Sequence, residues 1–192
     1  MSSFTIIGTG NMAKAIGGVL ADGGSAVNHV SHDEVGSAPL TGDFVVLAVP
    51  FPAVDSIIEA YGAQFAGKNV IDLTNPLNFA TFDSLVVPAD SSAAAEIQAK
   101  LADSVVLKAF NTNFAGTLAS RQLGGVQTTV LVAGDSDEAK GELLAAVQAG
   151  GVSAIDAGAL SRARELEAIG FLQLTLAARE QLGWTAGFAV VR

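Results

Sequence analysis

Gly8-Thr9-Gly10-Asn11-Met12-Ala13 follows directly on the apolar run Phe4–Ile7 and opens the helical stretch Met12–Leu20. A strand, a glycine turn and a helix in that order begin a βαβ unit. The spacing G-x-G-x-x-A is the alanine variant of the dinucleotide fingerprint. Gly8 permits the tight turn, Gly10 lets a pyrophosphate approach the backbone, and Ala13 keeps the helix close to the sheet. The helix N-terminus then presents backbone N–H groups and a partial positive charge to the phosphates. Gly8, Thr9, Gly10, Asn11 and Met12 are therefore candidate cofactor-binding residues. The alternative is plain turn chemistry, in which the glycines only reverse the chain.

The rest of the chain repeats this alternation. Further short apolar runs occupy Ala26–Val30, Phe44–Val49, Asn69–Leu73, Ser104–Phe110, Thr128–Gly134 and Val152–Ala157. Most are nearly continuous rather than alternating, as strands covered by helices on both faces are. Helical periods fill Met12–Ala21, Ala53–Ala60, Ser91–Ala102, Asp137–Ala149 and Ser161–Gly183. Asp135-Ser136-Asp137-Glu138 supplies a cap and acidic groups at one helix start, and Gly150-Gly151 stops that helix. The pattern predicts an α/β fold, a Rossmann-like parallel sheet flanked by helices. At 192 residues, with no linker, repeat or composition break, one domain is expected, residues 161–192 forming a helical segment packed on its core.

Composition excludes several classes. Half the residues are hydrophobic, 15% are charged and the mean hydropathy is +0.46, which raises the question of a membrane. Runs such as Phe44–Phe51 fall well short of the roughly 20 residues a spanning helix needs, so the surplus is expected inside a buried sheet. The net charge is −9, and Lys14 is the only lysine or arginine before Lys68, so neither nucleic acid nor an anionic membrane is a fitting partner. The absence of cysteine removes disulfides, Cys-zinc sites and thiol catalysis. With His29 and His32 the only histidines, no metal site is expected. The N-terminal Met-Ser-Ser-Phe has no basic export signal, and a cytoplasmic protein is the expectation.

Cofactor choice is set at the end of the second strand. Val30-Ser31-His32-Asp33 offers a hydroxyl and an imidazole where an NAD site would place a carboxylate. Ser31 and His32 are thus candidates for the 2′-phosphate of NADP. NAD stays possible, because Asp33 comes only slightly late and no arginine is at hand to clamp a phosphate; His32 as a plain loop residue is the other reading. Only eleven residues, Asp33 to Asp43, then lead to the next strand. A helical crossover needs a dozen or so residues. The expectation is a loop crossing that leaves Ala26–Val30 as an edge strand.

The blocks Gly8 to Ala15, Leu47-Ala48-Val49-Pro50, Ile71-Asp72-Leu73-Thr74-Asn75-Pro76-Leu77 and Lys108-Ala109-Phe110-Asn111-Thr112 appear in order. They are followed by Gly134-Asp135, Glu138-Ala139-Lys140 and Asp156 to Glu167. Together they resemble the NADP-dependent oxidoreductase family typified by the deazaflavin (coenzyme F420):NADP reductases, which includes the cytosolic domains of metalloreductases. The resemblance covers nearly the whole chain; the departure from it is the short Asp33–Asp43 segment. It implies that Ala48, Val49 and Pro50 line the cofactor. It also implies that Asn75 and Pro76 border ribose and nicotinamide, and that Ala109, Phe110 and Asn111 hold the nicotinamide. All three segments follow strands, where ligands of open α/β sheets bind. As alternatives, Pro50 and Pro76 only end strands, Phe110 is a core aromatic, and Lys108 snorkels to the surface.

The sequence holds no Ser-His-Asp set and no paired carboxylates at glycosidase-like spacing, so no catalytic residue is named. Hydride transfer between two cofactor rings needs none, because the cofactors carry the chemistry. The expected function is hydride transfer from NADPH to a small-molecule electron acceptor of flavin or deazaflavin type. A same-fold reductase with another acceptor, or a non-catalytic NAD(P)-binding sensor, are the alternatives. Ser161–Gly183 is apolar over more than one face, so it should be buried across the sheet or against a second copy. The resemblance suggests a homodimer. Arg162 and Arg164 are expected to pair with Glu165 and Glu167, facing an anionic ligand being the alternative. Trp184 and Phe188 are expected to pack in the core or an interface, with stacking on an acceptor ring the other reading.

Overall fold

A computed structural model describes residues 2–191. The elements run β1 (Ser3–Ile7), α1 (Asn11–Asp22), β2 (Ala26–Val30), β3 (Phe44–Leu47), α2 (Val54–Tyr61), β4 (Asn69–Asp72), α3 (Ala93–Lys100), β5 (Val105–Ala109) and α4 (Ala115–Ser120). A short strand pair β6 (Gln122–Leu123) and β7 (Val126–Gln127) follows, then β8 (Thr129–Gly134), α5 (Asp137–Ala149), β9 (Ser153–Gly158) and α6 (Ala163–Ala178). Among the described residues seven strands form one sheet of order β2-β1-β3-β4-β5-β8-β9. Both faces of its central strands are apolar. Phe4, Ile6, Phe44 and Val46 pack with Ile16, Leu20, Leu143 and Val147 on one side. Ile7, Val45 and Leu47 meet Ile57, Phe65 and Ile97 on the other. Helices on both faces therefore absorb the hydrophobic surplus, as parallel sheets require.

The first five strands of the sheet are parallel, but β8 pairs antiparallel with β5, and β9 follows β8. The fold is Rossmann-like with a mostly parallel sheet rather than a wholly parallel one. The cause is local. The six residues of α4 advance the chain by only about 9 Å, so β8 enters the sheet at the end where β5 leaves it, Ala109 facing Val132.

The short crossing is a loop, as its length requires. After a single 3-10 turn at His32–Glu34 the chain runs without a further helix to Asp43, and β2 is the sheet edge. Leu40, 5% exposed, fills the core position a helix would have covered. Gly42 N–H donates to Thr5 Oγ1 and Asp43 N–H to Ser3 Oγ, which seats the loop on β1.

One expectation for the last segment is corrected. The helix stops at Ala178, not Gly183, because Glu180 turns left-handed (φ 58°) and Gln181 N–H bonds back to Leu176 O at 2.9 Å. Its buried stripe, Ala163, Leu166, Glu167, Gly170, Gln173 and Ala177, is narrow and partly polar, and Leu172 stays half exposed.

Candidate functional site

The loops after β1, β4 and β5 gather at one end of the sheet around a cleft of about 460 Å³. Its floor is the start of α1, at Asn11 and Met12. No side chain caps that helix and no acidic residue lies in its first turn, so its leading N–H groups are left for a ligand. Gly8 shapes the approach. It sits at φ 127°, and a Cβ there would lie 2.4 Å from Ala48 O, so β1 and β3 close together only around a glycine. At Gly10 a Cβ would meet nothing within 4 Å; the space above this backbone is open to a pyrophosphate.

The nicotinamide candidates come together from two strands. Asn75 Nδ2 donates to Asn111 O and Asn111 Nδ2 donates back to Asn75 Oδ1, both at 2.9 Å. Asn111 Nδ2 also donates to Leu166 O at 2.8 Å, tying this clasp to α6. The approach is close, since a Cβ on Gly170 would fall 2.3 Å from Asn75 Oδ1. Asn111 Oδ1 is buried without a hydrogen-bond partner, an acceptor left over where the clasp meets the cleft. Phe110, fully buried, is held left-handed at φ 65°, a conformation costly for a bulky residue that turns the chain sharply into the cleft.

Not every candidate reaches the cleft. Ala109 and Pro76 are buried outside its lining, Ala109 within the core under α1. Ala48 abuts the Gly8 turn, while Val49 and Pro50 lead from β3 into a 3-10 turn and do not line the cleft. Ser31 and His32 lie beside the glycine turn at the end of β2, where Gly8 N–H donates to Val30 O at 2.8 Å. His32 is exposed; Ser31 is half-buried and engaged with Glu34.

Lys108 overturns its expectation. It is fully buried, and its ammonium donates to Asp72 Oδ2 at 2.7 Å, Glu167 Oε1 at 2.8 Å and Thr74 O at 2.5 Å. Asp72 Oδ1 accepts the Thr74 N–H, and Glu167 accepts the amides of Ala93 and Ala94 at the start of α3. One cation thus pins the loop carrying Asn75, the helix α6 and the helix α3. Burial pushes the Glu167 carboxyl above the usual carboxylate range, against the pull of Lys108 and the Ala93 amide. The predicted Arg164–Glu167 pairing is accordingly absent among the described residues, and Arg162 pairs loosely with Glu165 at 3.6 Å.

Of the outer wall of the cleft, only Trp184 is a candidate from the sequence, as a ring that could stack on an acceptor. Phe114, Ala115 and Gly116 of the α4 region, Leu174, Trp184 and Thr185 complete the lining. Trp184 is not core: it is 60% exposed and leans on Phe114 with ring centroids 5.0 Å apart. Phe188 is likewise half exposed, its N–H held by buried Gln173. The lining is entirely apolar, amide or hydroxyl. Among the described residues no group of His, Cys, Asp and Glu could hold a metal ion, and no helix is long and apolar enough to cross a membrane.

No family model matches the chain. Over 132 residues it is 35% identical to the F420-dependent NADP reductase of Methanocaldococcus jannaschii, an alignment covering 67% of this chain and 59% of that protein. The chain is a homologue of that reductase. It spans under two thirds of the relative's length. Among solved structures, a candidate F420-dependent NADP-reductase from Arthrobacter sp. FB24 superposes with a TM-score of 0.84 at 22% identity, covering 100% of both chains. Plasmodium falciparum pyrroline carboxylate reductase with NADP bound gives a TM-score of 0.57 at 11% identity, over 93% of this chain and 67% of that one. These two likenesses concern the fold. The sequence relation agrees with the resemblance drawn from the motif blocks.

Proposed function

We propose that this chain is an NADP-dependent oxidoreductase that transfers hydride from NADPH to a flavin- or deazaflavin-type acceptor. The observation that carries the reading is the uncapped α1 N-terminus, behind G-x-G-x-x-A, opening into a cleft of amides and apolar side chains. The homologous reductase, whose name includes both F420 and NADP, supports this pair of hydride carriers.

The residues fit a nicotinamide dinucleotide part by part. The α1 amides and the bare Gly10 backbone would take the pyrophosphate, and Asn75 and Asn111 would take the carboxamide, which needs one donor and one acceptor. When bound, the dinucleotide would supply a hydride from its dihydronicotinamide ring for reduction of the acceptor, with a proton from water completing the balance. Phe110, Phe114, Leu174 and Trp184 wall the cleft and would exclude water, and the exposed Trp184 ring would offer a flat surface to an aromatic acceptor. An alcohol or hydroxy-acid substrate would require an acid or base at the reacting carbon; the amide and apolar lining suits ring-to-ring transfer instead.

The exposed apolar side chains of Leu172, Phe188 and Val190 support a homodimer. The reading carries with it a cytoplasmic location, one domain and no nucleic-acid partner. The test is oxidation of NADPH, and of NADH, followed by nicotinamide absorbance against flavin and deazaflavin acceptors. NADPH consumption with at least one such acceptor is expected. Tight dinucleotide binding with no consumption by any acceptor would contradict an enzyme and favour a sensor.

A further inference from the structure

The adenosine end of the site carries a feature that the strand-end motif conceals. Val30 O is tied to the Gly8 amide, so Ser31 is fixed beside the glycine turn, where the adenosine ribose falls in this fold. Ser31 is not free there. Its Oγ donates to Glu34 Oε2 at 2.6 Å and its backbone N–H donates to the same oxygen at 2.9 Å. This reciprocal capping box folds the carboxylate back over the end of β2. The Ser31 hydroxyl and amide hold the Glu34 carboxyl below its usual range, so it is ionised at neutral pH.

No lysine or arginine offsets that charge nearby in sequence. The turn holds His32, Asp33 and Glu34, and the single lysine of the first 43 residues, Lys14, lies on α1 beside Ala115 and Ala119 of α4. A 2′-phosphate reaching for the Ser31 hydroxyl would find the hydroxyl's proton engaged and a carboxylate in its path. A ribose 2′-hydroxyl meets the opposite situation, since an exposed carboxylate accepts its hydrogen bond.

We propose that Glu34 is a specificity-determining residue of this site, admitting the 2′-phosphate of NADP(H) only when it swings off Ser31 and offering the free 2′-hydroxyl of NAD(H) a hydrogen-bond acceptor. The assignment deepens the proposed function and rests on a dinucleotide occupying the cleft. It makes NADP(H) binding weaker than the scaffold allows, and NAD(H) a competitor at the same site.

The test is calorimetric titration of NADP⁺ and NAD⁺ into the wild type, Glu34→Gln and Glu34→Ala. Glutamine keeps an acceptor oxygen for the Ser31 amide and removes the charge; alanine frees Ser31 outright. Both variants should raise the affinity for NADP⁺ relative to NAD⁺ by about tenfold or more, the like-charge repulsion being removed. An unchanged affinity ratio in both variants would overturn the assignment while leaving the dinucleotide reading intact. If none of the three proteins binds either dinucleotide, the reading of the cleft fails, and this assignment with it.

Discussion

Lys108→Met should lower the unfolding free energy by about 3–5 kcal/mol, since it leaves two buried carboxylates with no cation. Methionine nearly matches lysine in volume, so the loss is electrostatic rather than a cavity effect. Asp72 and Glu167 face Lys108 from β4 and α6, with relative exposures of 0% and 1%, and water cannot take over its role. The pH dependence gives the effect a signature. Without Lys108 the Glu167 pKa, already raised by burial, rises further, and the folded variant takes up a proton that the unfolded chain does not hold at the same pH. A group with a raised folded pKa adds stability below its unfolded value and loses it as pH rises through the folded value. The deficit of Lys108→Met should therefore shrink on acidification and be largest at neutral and alkaline pH. Urea unfolding of both proteins across pH checks this. A uniform deficit at every pH would show that the charge cluster is not its source.

Gly8→Ala should cost about 2–4 kcal/mol, from a φ that L-residues rarely adopt and from overpacking at a tight contact. At φ 127° and with Ala48 O only 2.4 Å from the new Cβ, either the turn or the β1–β3 pairing has to move. Both consequences reach the site, because the same turn sets the start of α1 and the position of Ser31. Dinucleotide affinity should fall by about 100-fold or more, as small misplacements of a binding group do. Thermal unfolding and calorimetric titration measure the two effects separately. Wild-type affinity in a destabilised Gly8→Ala protein would mean that the turn does not hold the phosphates.

The parts of this molecule that local physics dictates were readable from the chain. Val45-Val46-Leu47 and Val70-Ile71 sit between two helical layers, and such strands must be apolar on both faces. The eleven residues from Asp33 to Asp43 are too few for a helical crossover, and the edge position of β2 follows. What escaped was set by partners distant in sequence. Lys108 reads as a surface lysine until Asp72 is known to be its cross-strand neighbour and Glu167 its partner from α6. A lone acid in Ile71-Asp72-Leu73 and a lone base in Leu107-Lys108-Ala109, in strands otherwise apolar, was the available signal. The outer wall of the cleft gave less. Ala115–Ser120 is too short for a helical period to show, and no glycine marks the end of α6 because Glu180 takes the left-handed position itself. Glu34 was passed over because it lies beyond the strand end; only the 3-10 turn brings it back onto Ser31.

The claim beneath all of this is that a dinucleotide pyrophosphate lies across Gly10 at the start of α1. A side chain at Gly10 meets nothing of the protein itself, so this position separates binding from folding. The decisive measurement is NADPH titrated into the wild type and into Gly10→Val, with thermal unfolding of both recorded alongside. Saturable binding by the wild type, weakened by about 100-fold or more in a variant of unchanged stability, is the expected result. Equal binding by both proteins would contradict the account.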